Sequence, residues 1–140
     1  MKNLWNDGDA EKLVADYAKK GVSRDLALRV YTSHLIGSDP DLVLHGGGNT
    51  SLKGELTTLL GDRVEALWVK GSGSDLDRIE PPGFPAIELA HLRRLRRLAS
   101  LTDEEMVNQL RTHLFKADAP NPSVETLLHA FLPHPWVDHT

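Results

Sequence analysis

A mixed α/β domain, with a sheet covered by helices, is the fold this chain predicts, and three observations carry it. Apolar residues fall at helical spacing in two segments before residue 38 and in three more after residue 85. Between them lie two β-type runs joined by a turn pair, and a third such run closes the sequence. That order, helices then strands then helices then a strand, suits one layered domain rather than an all-α or all-β fold. The 140 residues fit a single domain, and 40% are hydrophobic, which is enough for a core and argues against a disordered chain.

Each element follows from local chemistry. Ala10, Leu13, Val14 and Tyr17 give a helix over Asp9 to Lys20, with Gly21 as its stop. Ser23 caps a second helix running through Leu35 and ending at Gly37. Leu42 to Leu44 read as a short β-type run entering a glycine loop. Ser51 to Leu59 and Val64 to Val69 read as strands joined near Gly61-Asp62. The stretch PPGFP is a rigid breaker. Leucines 89, 92, 95 and 98 place a helix over Ala86 to Ala99. Thr102 and Glu105 form a capping box for another, with Met106, Leu110 and Leu114 on one face. After the break at residues 119–122, Ser123 caps a helix to about Leu132. Trp136 to His139 begin a buried strand.

Composition narrows the function. Sixteen Lys and Arg stand against 20 Asp and Glu, a net charge of −4, which disfavours a dedicated nucleic-acid binder and leaves room for a local positive pocket. The run RRLRR, Arg93 to Arg97, reads as a solvated helix face, since its leucine points inward and no aromatics are interleaved. No cysteine is present, which excludes disulfides and thiolate metal sites; seven histidines keep imidazole ligation open. The start has no apolar signal core and no window approaches a membrane span, so the expectation is a cytoplasmic protein without a membrane or nucleic-acid partner.

Four stretches carry chemistry. In HGGGNTSLK, His45 to Lys53, glycines let N–H groups turn toward one point while Asn49, Thr50 and Ser51 add polar side chains; a phosphate or carboxylate suits such a loop, and so does a plain tight turn. KGSGSDL, Lys70 to Leu76, ends an apolar strand with two glycines around Ser72. Neither loop has the spacing of a P-loop or of a dinucleotide fingerprint. NPSVETLLH, Asn121 to His129, puts Ser123 at a helix start and Glu125 in its first turn, either an anion site or ordinary capping. Glu125 and His129, four apart, share a helix face. HPWVDHT ends the sequence with His139 on a strand.

Taken together and in order, HGGGNTSLK, VKGSGSDL, NPSVETLLH and VDHT resemble the class II aldolase/adducin family, whose members carry a G-N-x-S loop, a [KT]-G-x-G loop, a P-S-x-E helix start and an H-x-H strand. The match spans Leu42 to Thr140. NLWNDGDAEKLV, DLALRVYTSHLIG and LVLHGGGNTSLK are most similar to the amino-terminal part of bifunctional proteins joining a rhamnulose-1-phosphate-aldolase-like domain to a short-chain dehydrogenase.

That resemblance implies an α/β/α layered domain with a central, mostly antiparallel sheet, assembled as a homo-oligomer, a tetramer in the family. It implies reversible cleavage of a ketose 1-phosphate, such as rhamnulose 1-phosphate, to dihydroxyacetone phosphate and an aldehyde, using Zn²⁺ or another divalent metal. Asn49 and Ser51, with Thr50 between them, match the first phosphate loop, and Gly71 and Ser72 the second. Ser123 matches one of a serine pair whose other member is Val124 here. Glu125 matches the catalytic acid/base, and His139 the first metal histidine. Cleavage leaves an enediolate, whose charge a divalent metal stabilises, while a phosphate cradle orients the reacting carbons and a glutamate moves protons.

The family uses about three histidine ligands, and the sequence ends at Thr140, one residue before the second. The expectation is therefore the amino-terminal portion of such a domain, with an incomplete ligand set and its status as an enzyme open. A non-catalytic adducin-like scaffold, or a sugar-phosphate epimerase or dehydratase, are the alternatives.

Overall fold

The computed structural model describes residues 2–140. Helix α1, Asp7–Ala18, starts where the Asn6 side chain accepts from the Asp9 N–H. Helix α2, Arg24–Gly37, starts where the Ser23 hydroxyl accepts from Leu26 N–H. Both ends obey the preference for short polar side chains that satisfy orphan N–H groups. Strands β1, Asn49–Thr57, and β2, Arg63–Val69, form an antiparallel hairpin closing at the pair Thr57 and Arg63. Gly61 supplies the left-handed turn residue, at φ +87°.

Two short strands complete the sheet. β3, Ala86–Glu88, pairs with β2, and β4, Trp136–His139, pairs with β1. The order is β3-β2-β1-β4, antiparallel at each step. One face carries α1 and α2, where Tyr17, Leu26, Ala27 and Val30 bury against Leu52, Ile79 and Phe84. The other carries α3, Leu89–Leu95, α4, Asp103–Thr112, and α5, Thr126–Phe131. There Leu67, Val69 and Ile87 meet Leu89, Leu92, Leu110 and Ala130. Each fully buried leucine or isoleucine contributes roughly 1.5–3 kcal/mol, so the two layers are held mainly by apolar burial on both sheet faces. The expected α/β/α architecture with an antiparallel sheet is the one observed.

Four local expectations need correction. Leu42 to Leu44 form no strand: the N–H groups of Leu42 and Val43 both donate to the Asp39 carbonyl, closing a helical turn. Ala86 to Glu88 are strand, because the edge of β2 takes them as a ladder, and the helix runs only to Leu95. Helix α5 begins at Thr126, not beside Ser123, since the Ser123 side chain is engaged elsewhere. β4 buries only Val137; Trp136, Asp138 and His139 are exposed. The capping box of Thr102 and Glu105 is present as expected, and Arg93 pairs with Glu65 on the surface.

Candidate active site

The start of β1 is polar and buried, whereas Gly54, Glu55 and Thr57 further along are exposed. Asn49, Thr50 and Ser51 are buried to 1% exposure or less. Buried polar groups must find partners, and alternation along a strand sends these three to different places. Asn49 lies opposite His139 of β4 in the ladder. Its Nδ2 donates to Ser123 Oγ at 2.5 Å and to Glu125 Oε2 at 2.8 Å. His139 Nδ1 stands 3.2 Å from Glu125 Oε1. One cluster thus gathers Asn49, Ser123, Glu125 and His139 from β1, the segment before α5, and β4. Asn49 and Ser123 form its buried floor, while the side chains of Glu125 and His139 are 35% and 46% exposed at its rim.

The amide orientation of Asn49 follows from its neighbours. An ionised carboxylate only accepts, so Nδ2 must face Glu125. Asn49 Oδ1 is then a buried acceptor with no partner among the described residues. Burial alone would raise the Glu125 pKa. The Asn49 hydrogen bond and the neighbouring His139 and His129 outweigh it and hold the carboxyl below its ordinary value. Glu125 therefore rests ionised at neutral pH, ready to accept a proton.

The other expected residues surround this cluster. Thr50 points to the opposite sheet face, its hydroxyl 2.8 Å from Ser33 Oγ on α2. Ser51 returns to the first face, with Oγ 2.7 Å from His129 Nδ1. His129 is wholly buried, and desolvation lowers its pKa to about 4, against a smaller opposing pull from Glu125. It is neutral under ordinary conditions. Gly71 and Ser72 run beside the Ser123 segment: Ser72 N–H donates to Asn121 O at 2.8 Å, and Gly71 N–H to Gly83 O at 2.8 Å. Their amides are spoken for; the Ser72 hydroxyl donates to Pro122 O at 3.4 Å, and Ser123 N–H itself donates to Lys70 O of that loop at 3.3 Å.

Sequence reasoning missed how the two glycine loops are tied. Lys70 Nζ donates to Gly46 O at 2.9 Å, and Gly46 N–H donates to Asp75 Oδ1 at 2.8 Å. Burial lowers the Lys70 pKa, with Glu125 and Asp75 opposing it. Gly48 locks the first loop down, at φ +69°, where an added Cβ would lie 2.8 Å from Leu76 and 2.9 Å from Val43. The readable signal was a lysine directly before a glycine loop. A second miss is Arg29, a charge on the apolar stripe of α2, which is 1% exposed.

Donor count decides what the cluster can hold. Among the described residues no three His, Cys, Asp or Glu side chains converge as a metal-binding group. His139 and Glu125 supply one imidazole and one carboxylate, whereas a catalytic zinc site uses three protein ligands. These residues alone do not fit a divalent-metal centre. A concavity of about 700 Å³, walled by Tyr17, Trp68, Phe84 and Phe115 on the α1–α2 side, contains none of the cluster. Convergent polar groups, not volume, locate the site.

Comparison with known proteins agrees with this architecture. No family model matches the chain. A curated relative from Bacillus subtilis (strain 168), named "Uncharacterized oxidoreductase YuxG", is 42% identical over 140 residues, which is all of this chain and 19% of the relative. A solved structure described as the N-terminal class II aldolase domain of a conserved protein from Thermoplasma acidophilum superimposes with a TM-score of 0.79 at 40% identity. It is matched over 99% of this chain and 59% of its own. The chain thus spans a fifth of one relative's length and somewhat over half of the other's. The resemblance read from the four motifs is borne out.

Proposed function

We propose, for a chain whose fold is that of a class II aldolase domain, that the cluster of Asn49, Ser123, Glu125 and His139 is the substrate end of an aldolase-type lyase acting on a ketose 1-phosphate such as rhamnulose 1-phosphate. The observation that carries this reading is the convergence of those four side chains, from residues up to ninety positions apart, on one point.

Ser123 Oγ accepts from Asn49, so its own hydrogen is free for a phosphate oxygen. The Ser72 hydroxyl flanks it from the second loop. Such a charge-assisted hydrogen bond contributes about 1.5–3 kcal/mol and fixes the phosphate end. Glu125, ionised and open at the rim, takes the proton from the hydroxyl on the aldehyde-side carbon. The C–C bond breaks, its electron pair moves toward the ketose carbonyl, and the same carboxyl returns the proton to carbon, giving dihydroxyacetone phosphate. Thr50 and Ser51 hold the floor from behind rather than touching substrate. A divalent metal, zinc in the resemblance, is the group this fold implies for the enediolate charge; since the present donors do not fit it alone, the role assigned to His139 is that of one ligand. A cytoplasmic homo-oligomer accords with this chemistry, and no helix among the described residues is long and apolar enough to cross a membrane.

The oxidoreductase in the relative's name is not carried over. The chain covers 19% of that protein, and neither glycine loop has dinucleotide spacing.

Phosphorus NMR of dihydroxyacetone phosphate titrated with the protein tests the reading. Binding that weakens about tenfold in Ser123→Ala and persists in Glu125→Gln supports it. No binding to the wild type, or equal binding to all three, sinks it.

A further inference from the structure

We infer that Arg29 is a positioning residue, a clamp that holds the edge strand β4 from behind the sheet so that His139 stays against Glu125. The inference rests on the reading above for what His139 and Glu125 do, and on contacts alone for the clamp.

β4 has four residues and, among the described residues, pairs with β1 alone, so it needs a second hold. Alternation splits its side chains. Val137 and His139 face the Glu125 side, while Trp136 and Asp138 face α2. Arg29 of α2 meets both of the latter. Its Nη2 lies 2.6 Å from Asp138 Oδ1, and the guanidinium sits 5.2 Å from the centre of the Trp136 ring. Between them, Nη1 donates to Ser51 O of β1 at 3.3 Å, and Nη2 also reaches Thr32 Oγ1 at 2.7 Å. One planar, rigid fork therefore touches both β4 residues of that face and the strand they pair with.

The arrangement is asymmetric. Arg29 is 1% exposed, while the Asp138 side chain is 47% exposed. A buried guanidinium is costly unless it is paired, so the helix presents a charge whose best partner lies on the edge strand. Asp138 immediately precedes His139, and pinning one sets the backbone register of the other. Leu26, Ala27 and Val30 on the same helix are core residues packed with Leu52, Ile79 and Phe84.

Hydrogen exchange on the intact chain tests the clamp. Lys53 N–H donates to Pro135 O beside β4 and reports the β1–β4 seam; Lys70 N–H donates to Thr50 O and reports the β1–β2 side. In Arg29→Met and in Asp138→Asn, exchange at Lys53 should quicken about tenfold relative to Lys70, with Arg29→Lys between them and the wild type. The double variant should be no worse than Arg29→Met. Equal quickening at both amides, or none at Lys53, overturns the clamp and leaves Arg29 a core residue. If Arg29→Met does not fold, Asp138→Asn, altered at its exposed end, decides alone. Dihydroxyacetone phosphate binding should stay within about threefold in Asp138→Asn, because the phosphate end is held by other residues. A wild type that binds none refutes the proposed function, while the exchange pattern still decides the clamp.

Discussion

Acid should destabilise this protein before its carboxylates titrate, and His129 is the reason. Burial lowers its pKa from 6.5 to about 4, with Ser51 Oγ at Nδ1 and no partner for Nε2 among the described residues. The sign follows from which state binds the proton first. The unfolded histidine protonates near 6.5, the folded one near 4, so the unfolded chain carries more protons in between and stability falls as pH falls. The contribution is complete above pH 6.5. From the two values, the loss is about 2 kcal/mol at pH 5 and about 3 kcal/mol at pH 4. Glu125, Glu11 and Glu105 have lowered values, so their contributions disappear below the ordinary carboxylate range and leave the interval from 6.5 to 5 to histidine. Urea unfolding followed by fluorescence of the three tryptophans at pH 7, 6 and 5 reads this directly. His129→Gln, which keeps a polar contact for Ser51 and cannot take the proton, should flatten the curve. If the stability difference between wild type and His129→Gln is the same at pH 7 and pH 5, His129 is not held neutral and the burial argument fails.

Three further outcomes follow from local geometry. Gly48→Ala combines a left-handed backbone position with contacts under 3 Å to Leu76 and Val43, and should cost about 2–4 kcal/mol by urea midpoint; Gly61→Ala, with φ +87° but nothing within 4 Å, should cost only about 1 kcal/mol. Val124 is 74% exposed where the resemblance implies a second serine, so Val124→Ser should leave stability within about 0.5 kcal/mol and tighten dihydroxyacetone phosphate binding several-fold, about 1 kcal/mol, in the phosphorus titration. Thr102→Ala removes the capping box of α4 and should lower the unfolding free energy by about 1 kcal/mol without altering that binding.

What the sequence disclosed and what it hid divide by range. Ser23 and the Thr102–Glu105 box were readable because each acts within one turn, and the β1–β2 hairpin because Gly61-Asp62 marks its turn. Leu42 to Leu44 misled because apolar side chains say nothing of where their N–H groups go; the Asp39 carbonyl took two of them. Ile87 suits a helix or a strand equally, and the edge of β2 decided for strand. Ser123 looked like a cap, yet Asn49, 74 positions away, claims its hydroxyl, so the helix starts later. The order of motifs pointed to Asn49, Thr50, Ser51, Gly71, Ser72, Ser123, Glu125 and His139 together, from which the structure gathers Asn49, Ser123, Glu125 and His139. It did not separate Thr50 from its neighbours, which strand alternation turns to the other face.

That separation explains why three consecutive polar residues are tolerated in a sheet. Asn49 bonds through its Nδ2 to the segment before α5, Thr50 to α2, and Ser51 to α5 through His129. Each bond joins β1 to a different packed element. Losing one partner strands a buried group at about 1–3 kcal/mol, far more than a surface hydrogen bond returns. The polar end of β1 is thus a specificity device: all three bonds form together only where α2 and α5 are seated on opposite faces. It also fixes Ser123 and Glu125 before any ligand arrives, so binding need not order the floor of the site. The geometry that makes the fold unique is the geometry that makes the cluster preorganised, and the substitutions that loosen one should loosen the other in proportion.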